Sequence, residues 1–206
     1  MINLEVNGMV KTIKEDYDYL KLKSEEVDFE KDNVSEIIQL LEDYCVENKV
    51  FAMAANQLGY LKRVMYIKHA DMERALADDM THNEKIIMIN PCIIKKKGHT
   101  TFWEACASCL EYVGLVHRPY KITVEYLDEL QIKHKKILEG FEATVFSHEY
   151  DHLDGILHID IAEKLLIMTV EERKELRVRE PYKILFENEE WNDDYARIQE
   201  VDISKL

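Results

Sequence analysis

Two histidines one helical turn apart, His148 and His152, flank a glutamate in the stretch "VFSHEYDHLDG", Val145 to Gly155. No other feature constrains the fold as much. Residues four apart share a face only on a helix, so both imidazoles reach one ion only if this segment is helical. Glu149 is turned about 100° from His148 on such a helix. It can reach a water on that ion without being a ligand itself. This is the H-E-x-x-H arrangement of zinc hydrolases. A charged, solvated helix face is the plainer alternative. Gly140 is expected to open the helix and Gly155 to close it, a position suited to a C-terminal cap.

Two histidines leave a catalytic site one protein ligand short. Cys106 and Cys109, in "CASC", are the candidates. Together with His148 and His152 they could instead close around a structural zinc. That arrangement gives Glu149 no role and needs a far longer separation between the pairs than a zinc finger has. The redox setting matters for these thiols. The opening "MINLEVNGMVKTIKEDYDYL" has no basic n-region and no apolar core, unlike a secretory signal. No run approaches the ~20 apolar residues of a membrane span. The expected compartment is therefore the reducing cytosol. Cys45, Cys92, Cys106 and Cys109 are expected as buried thiols or ligands rather than disulfides.

The elements around this helix set the fold class. "NVSEIIQLLEDYCVENK" carries Val34, Ile37, Ile38, Leu41, Tyr44 and Cys45 at helical spacing, with Asn33 as N-cap. "FAMAANQLGY" leads into a strand, "RVMYIK". "HADMERALADDMTHNEK" is a polar excursion, and "IIMINPCIIKKK" predicts strand, Pro-marked turn and strand. "FWEACASCLEYVGLVHRP" is turn-rich. "KITVEYLDELQIKHKKI" predicts a hairpin, with Ile122, Val124 and Tyr126 alternating. A last helix is expected at the capping box Thr169-x-x-Glu172, followed by an acidic surface tail. Strands and helices do not alternate regularly, so the class is α+β. Mixed or antiparallel strands would pack around the helix of His148 and His152, with an N-terminal helix and a C-terminal helical tail. The 206 residues suffice for one domain with a sizeable core. The net charge of -14 disfavours non-specific contact with nucleic acid or an anionic membrane. A local basic patch would still leave a ribosomal partner open. The Tyr and Trp residues are too scattered for a nucleic-acid platform.

From about Lys21 to about Ile161 the chain resembles the peptide deformylases; residues 162–206 would be an extension. That family carries three signatures in order. G-x-G-L-A-A-x-Q appears here as "VFAMAANQ", ending at Gln57; E-G-C-L-S as "EACAS", Glu104 to Ser108; and Q-H-E-x-D-H-L as "SHEYDHL", Ser147 to Leu153. "INP" before the second motif and "RP" at Arg118 and Pro119 fit as well. Val50, Ala52 and Ala105 stand where the family has glycines, Ala107 for leucine and Ser147 for glutamine. Glycine's freedom of positive φ and close backbone approach is lost there. None of these departures removes a ligand, the base or Gln57.

The resemblance implies hydrolysis of the formamide of an N-formylmethionyl peptide, releasing formate. It assigns Cys106 as third ligand beside His148 and His152, and leaves Cys109 as a packing thiol. The implied cofactor is one divalent ion per chain, Fe²⁺ first, with Zn²⁺ also suited to this donor set. Glu149 is implied as general base, with the Gln57 amide and the backbone N–H of Ala107 as donors to the formyl oxygen. Phe51, Ala52 and Ala105 would bind the substrate. Phe141, Thr144 and Val145, seven, four and three residues before His148, would wall the methionine pocket. Glu104, Arg118 and Asp151 are candidates to orient the ligands. His69, His82, His99, His117, His134 and His158 lack partner spacing and are expected to be structural or exposed. Two other readings stay open: a zinc peptidase, and a non-catalytic metal-binding protein on a deformylase fold.

Overall fold

The chain is described by a computed structural model that covers residues 9–68 and 85–196. The polar excursion, with His69 and His82, and the last ten residues of the tail lie outside the described residues. One helical turn, α1 (Tyr17–Leu20), precedes the amphipathic α2 (Val34–Asn48). Asn33 caps α2 by accepting from the Glu36 N–H, which satisfies one of the helix's orphan donors. The apolar stripe of α2 is buried through Ile37, Ile38, Leu41 and Cys45. It packs on the sheet beside Met53, Val64 and Tyr66. Full burial of a side chain such as Leu41 contributes about 1.5–3 kcal/mol.

The sheet has eight strands. They are β1 (Ala52–Ala54), β2 (Val64–Ile67), β3 (Ile86–Ala105), β4 (Tyr112–Arg118), β5 (Lys121–Leu127), β6 (Lys133–Glu139), β7 (Lys164–Ile167) and β8 (Lys183–Glu190). The main path runs β1-β2-β3-β4-β7, the β5–β6 hairpin pairs with β3, and β8 pairs with β3 further along. Every strand pairing is antiparallel. The helix expected from the histidine pair is α3 (Phe141–Leu153), opened by Gly140. Its apolar face, Ala143, Phe146 and Leu153, is buried against Met65, Ile122, Val124 and Leu138. The single turn α4 (His158–Ile161) and α5 (Val170–Arg179) follow. The α+β class holds, with antiparallel strands.

Three local expectations are corrected. The turn expected at Pro91 is absent, because β3 runs through it as one twenty-residue strand. A register shift between Ile89 and Cys92 takes up the irregularity, and Asn90 sits there at φ 49°. Asparagine tolerates that left-handed conformation, and a bulge leaves proline no ladder bond to break. The Asn90 side chain also clamps the Val27 backbone, accepting from its N–H at 2.8 Å and donating to its carbonyl at 3.1 Å. Next, "FWEACASCLEYVGLVHRP" is mostly strand. Phe102–Ala105 pairs with Val113–Val116 in unbroken register, and only Ala107–Cys109 is a 3-10 turn. The tail, finally, is only partly helical. α5 starts at its capping box, with Thr169 N–H donating to Glu172 Oε2 at 2.8 Å, but β7 and β8 flank it.

Two glycines fix how outer segments meet the frame. A Cβ on Gly155, at φ +71°, would lie 2.3 Å from the Lys21 carbonyl oxygen. One on Gly98, at φ +69°, would lie 2.6 and 2.7 Å from the Phe186 and Glu187 carbonyl oxygens of β8. No helix among the described residues is long and apolar enough to cross a membrane.

Candidate metal centre

Three segments distant in sequence converge beneath one cleft. β3 ends at Ala105 and delivers Cys106, α3 carries His148 and His152, and the 3-10 turn Ala55–Leu58 carries Gln57. One ligand atom each from Cys106, His148 and His152 lies within 4.8 Å of the others, the one such group among the described residues. The Cys106 Sγ is 3.1 Å from His152 Nε2. The His148 and His152 rings stand edge to face, with centroids 5.0 Å apart. One thiolate and two imidazoles suit a borderline-soft divalent ion.

The tautomer at His148 fits that use. Its Nδ1–H donates to Glu104 Oε2 at 2.8 Å, which leaves the Nε2 lone pair for a ligand bond. Glu104 in turn accepts from Arg118 Nε at 2.9 Å and Nη2 at 3.0 Å, and Arg118 also pairs with Asp151. Burial works against the Glu104 carboxylate. Arg118 and His148 overcome it and hold the group well below the usual carboxylate range. Asn56 Nδ2 donates to the His152 carbonyl at 2.6 Å and braces that turn of α3. The His152 Nδ1 is buried without a hydrogen-bond partner.

The two cysteines take different places. Cys109 is fully buried in an apolar cluster with Leu20, Leu157 and Ile159. Its thiol donates to Cys106 and, with His152 and His148, draws the Cys106 thiol well below its ordinary value against the effect of burial. Glu149 is also buried, and burial pushes its carboxyl up to about 7. Its Oε2 has no hydrogen-bond partner. Gln57 is oriented at both ends: Oε1 accepts from Ala54 N–H at 3.0 Å, while Nε2 donates to Cys106 Sγ at 3.2 Å and Ser108 Oγ at 3.0 Å. Ala107 begins its 3-10 turn, so its N–H has no partner inside that turn.

The cleft above these groups encloses about 520 Å³. Its lining includes Phe51, Ala52, Ala105, Phe141, Thr144 and Val145, together with Gln57, Cys106, Ala107, His148 and Glu149. Arg118 and Asp151 do not line it, and His152 lies beneath it. The positions that lost glycine, 50, 52 and 105, all have negative φ, so Val and Ala sit there without strain. Leu110 does carry positive φ, at 57°, on the cleft rim. Several features escaped the sequence reading. His158 stacks on His148, with centroids 5.8 Å apart, and burial lowers its pKa to about 4. Phe102, Arg173 and Arg177 also line the cleft. The i, i+4 spacing of the two arginines was the only available signal.

The Polypeptide deformylase family profile matches residues 9–166. Peptide deformylase 2 of Clostridium acetobutylicum is 36% identical over 149 residues, covering 71% of this chain and 91% of that protein. The peptide deformylase of Christiangramia forsetii is 32% identical over 183 residues, covering 82% and 91%. A crystal structure of a probable peptide deformylase from Synechococcus phage S-SSM7 superposes with a TM-score of 0.63 at 33% identity, covering 73% of this chain and 97% of that one. The Met-Ala-Ser-bound class I type b peptide deformylase of Acinetobacter baumannii gives 0.63 at 26% identity, covering 73% and 94%. On these matches, which span well over half of its length, the chain belongs to the polypeptide deformylase family.

Proposed function

We propose that Cys106, His148 and His152 hold the divalent ion on which this family's reaction depends, and that Glu149 moves the proton. The enzyme removes the N-formyl group from nascent polypeptides, a metal-dependent hydrolysis. The observation that carries the residue assignment is the convergence of three donor atoms within 4.8 Å under a cleft that Glu149 also lines. An ion held by these residues would supply Lewis acidity, lowering the pKa of a water towards about 7, with the thiolate limiting that fall.

The chain's own groups do the rest. Glu149, buried next to the ligands and lining the cleft, takes the proton and returns it to the leaving amine. The Gln57 amide, oriented by Ala54 and exchanging its bond to Cys106 for the substrate, and the Ala107 N–H donate to the formyl oxygen as charge builds on it. One such donor contributes roughly 2.7–4 kcal/mol to the transition state. Glu104, fixed by Arg118, which Asp151 holds in turn, keeps the His148 ring in its ligand tautomer. Phe141, Thr144 and Val145 wall the methionine side chain, and Phe51, Ala52 and Ala105 flank the peptide backbone. The Acinetobacter relative's Met-Ala-Ser supports a peptide lying in this cleft.

Fe²⁺ is the working ion, and Zn²⁺ also satisfies the donor set. The substrate emerges at the ribosome, so the enzyme acts beside it in the cytosol. The test measures formate release from a formyl-Met peptide, with the metal content of the same sample. Turnover that follows metal content supports the assignment. A metal-loaded protein that releases no formate would leave a metal-binding protein on this fold, and internal peptide cleavage would mark a peptidase.

A further inference from the structure

The cleft has a wall that comes from the C-terminal segment. α5 packs by Leu176, 3% exposed, beside Trp103 and Val113. Arg173 and Arg177 stand four residues apart on that helix, and both line the cleft. Like charges at this spacing weaken a helix.

Arg177 is held in place before any ligand arrives. Its Nε and Nη2 donate to the Trp103 carbonyl at 2.9 and 2.8 Å. Its guanidinium carbon lies over the Phe102 ring, 4.7 Å from the centroid. Two of five N–H donors are thus spent on a neutral acceptor, and three are left. Burial, with Arg173 beside it, brings Arg177 down to about 10, so an anion in the cleft would be favourable. Lys49 adds a third cation to the lining. The two carboxylates that line the cleft are otherwise employed: Glu104 binds Arg118 and His148, and Glu149 serves as the base.

The distance from the metal ligands follows from the aromatic wall. Phe102 meets Phe141 edge to face, with centroids 5.3 Å apart. Phe141 precedes His148 by seven residues, about 10 Å along α3 at roughly 1.5 Å per residue. An extended peptide covers that span in about three residues at roughly 3.3 Å each.

We propose that Arg173 and Arg177 are specificity-determining residues that select formylated chains with an aspartate or glutamate among the first three residues after formylmethionine. This rests on the deformylase reading above. A pre-set guanidinium loses little freedom when it binds a carboxylate, and planar Arg–carboxylate pairing is directional.

The test compares kcat/KM for amidated peptides: formyl-Met-Ala-Ala-Ala and its three variants with one glutamate. At least one acidic peptide should exceed the neutral one by about tenfold, mainly through KM, and salt should erode the gain. Arg177→Met and Arg173→Gln should each bring that ratio towards one. Arg173→Glu should favour a lysine peptide instead. The ratio is taken within each variant, so lost folding or metal lowers both substrates and leaves it unchanged. If Arg177→Met does not fold, the two Arg173 variants decide. Deformylation of all four peptides at one rate overturns the inference and leaves the deformylase reading standing. So does a ratio that survives in the Arg173 and Arg177 variants, or a gain only with a free terminal carboxylate. Release of formate from none of them overturns the deformylase reading itself.

Discussion

Beside the metal ligands, Glu104 and Arg118 are each 4% exposed and paired with each other. Along β8, in the segment that follows the cleft's C-terminal wall, all eight residues are exposed. Both regions are laid on β3, yet they obey different physics. A buried ion pair is costly to break, because the survivor is left as an uncompensated charge. An exposed strand face loses little when a side chain changes. The groups that perform the chemistry are therefore over-determined by their neighbours. Side chains along β8 can vary at small cost to the fold.

Five substitutions separate the regions. Cys106→Ala should act most strongly, removing both metal and formate release, as metal analysis and the assay would show. Cys109→Ala should keep both, since that thiol sits in an apolar cluster; metal loss there would restore the closed four-ligand site. Glu149→Gln should retain metal and lower kcat by about 10²–10⁴-fold, the usual contribution of a general base. Turnover within a few-fold of the parent would move the proton to another group. Arg118→Met should cost about 3–5 kcal/mol in denaturant unfolding of the metal-loaded protein, because Glu104 and Asp151 lose their counter-charge. Leu185→Ser on β8, 44% exposed in the parent, should stay within about 0.5 kcal/mol in the same measurement. A larger loss would show that β8 carries more of the fold than its exposure suggests.

The two regions also differed in how far the sequence disclosed them. α3 was readable because the histidine spacing, Gly140 and Gly155 are local signals that agree. Asn33 and the Thr169–Glu172 box marked helix starts for the same reason. β3 was misread because Asn90 and Pro91 carry turn chemistry that the fold uses as a bulge. β8 gave no alternation, since neither of its faces is buried and period two arises only from one buried side. Arg173 and Arg177 carry no sequence signal beyond their spacing, and only the packing of α5 turns them to the cleft. The place of His158 beside His148 depends on the chain doubling back after α3, which no spacing rule encodes.

Two of the contacts that fasten the C-terminal segment to the frame are of opposite kinds. One is the Trp103 carbonyl, gripped by Arg177; the other is Gly98, where β8 crosses β3 with no room for a Cβ. The second works like the socket of a clasp, defined by what is missing from it. One methyl group there would press on the Phe186 and Glu187 carbonyls and lever the strap outwards. Residue 98 lines no part of the cleft. Even so, drift at this position would alter which peptides are chosen before it altered how fast a formamide is cut.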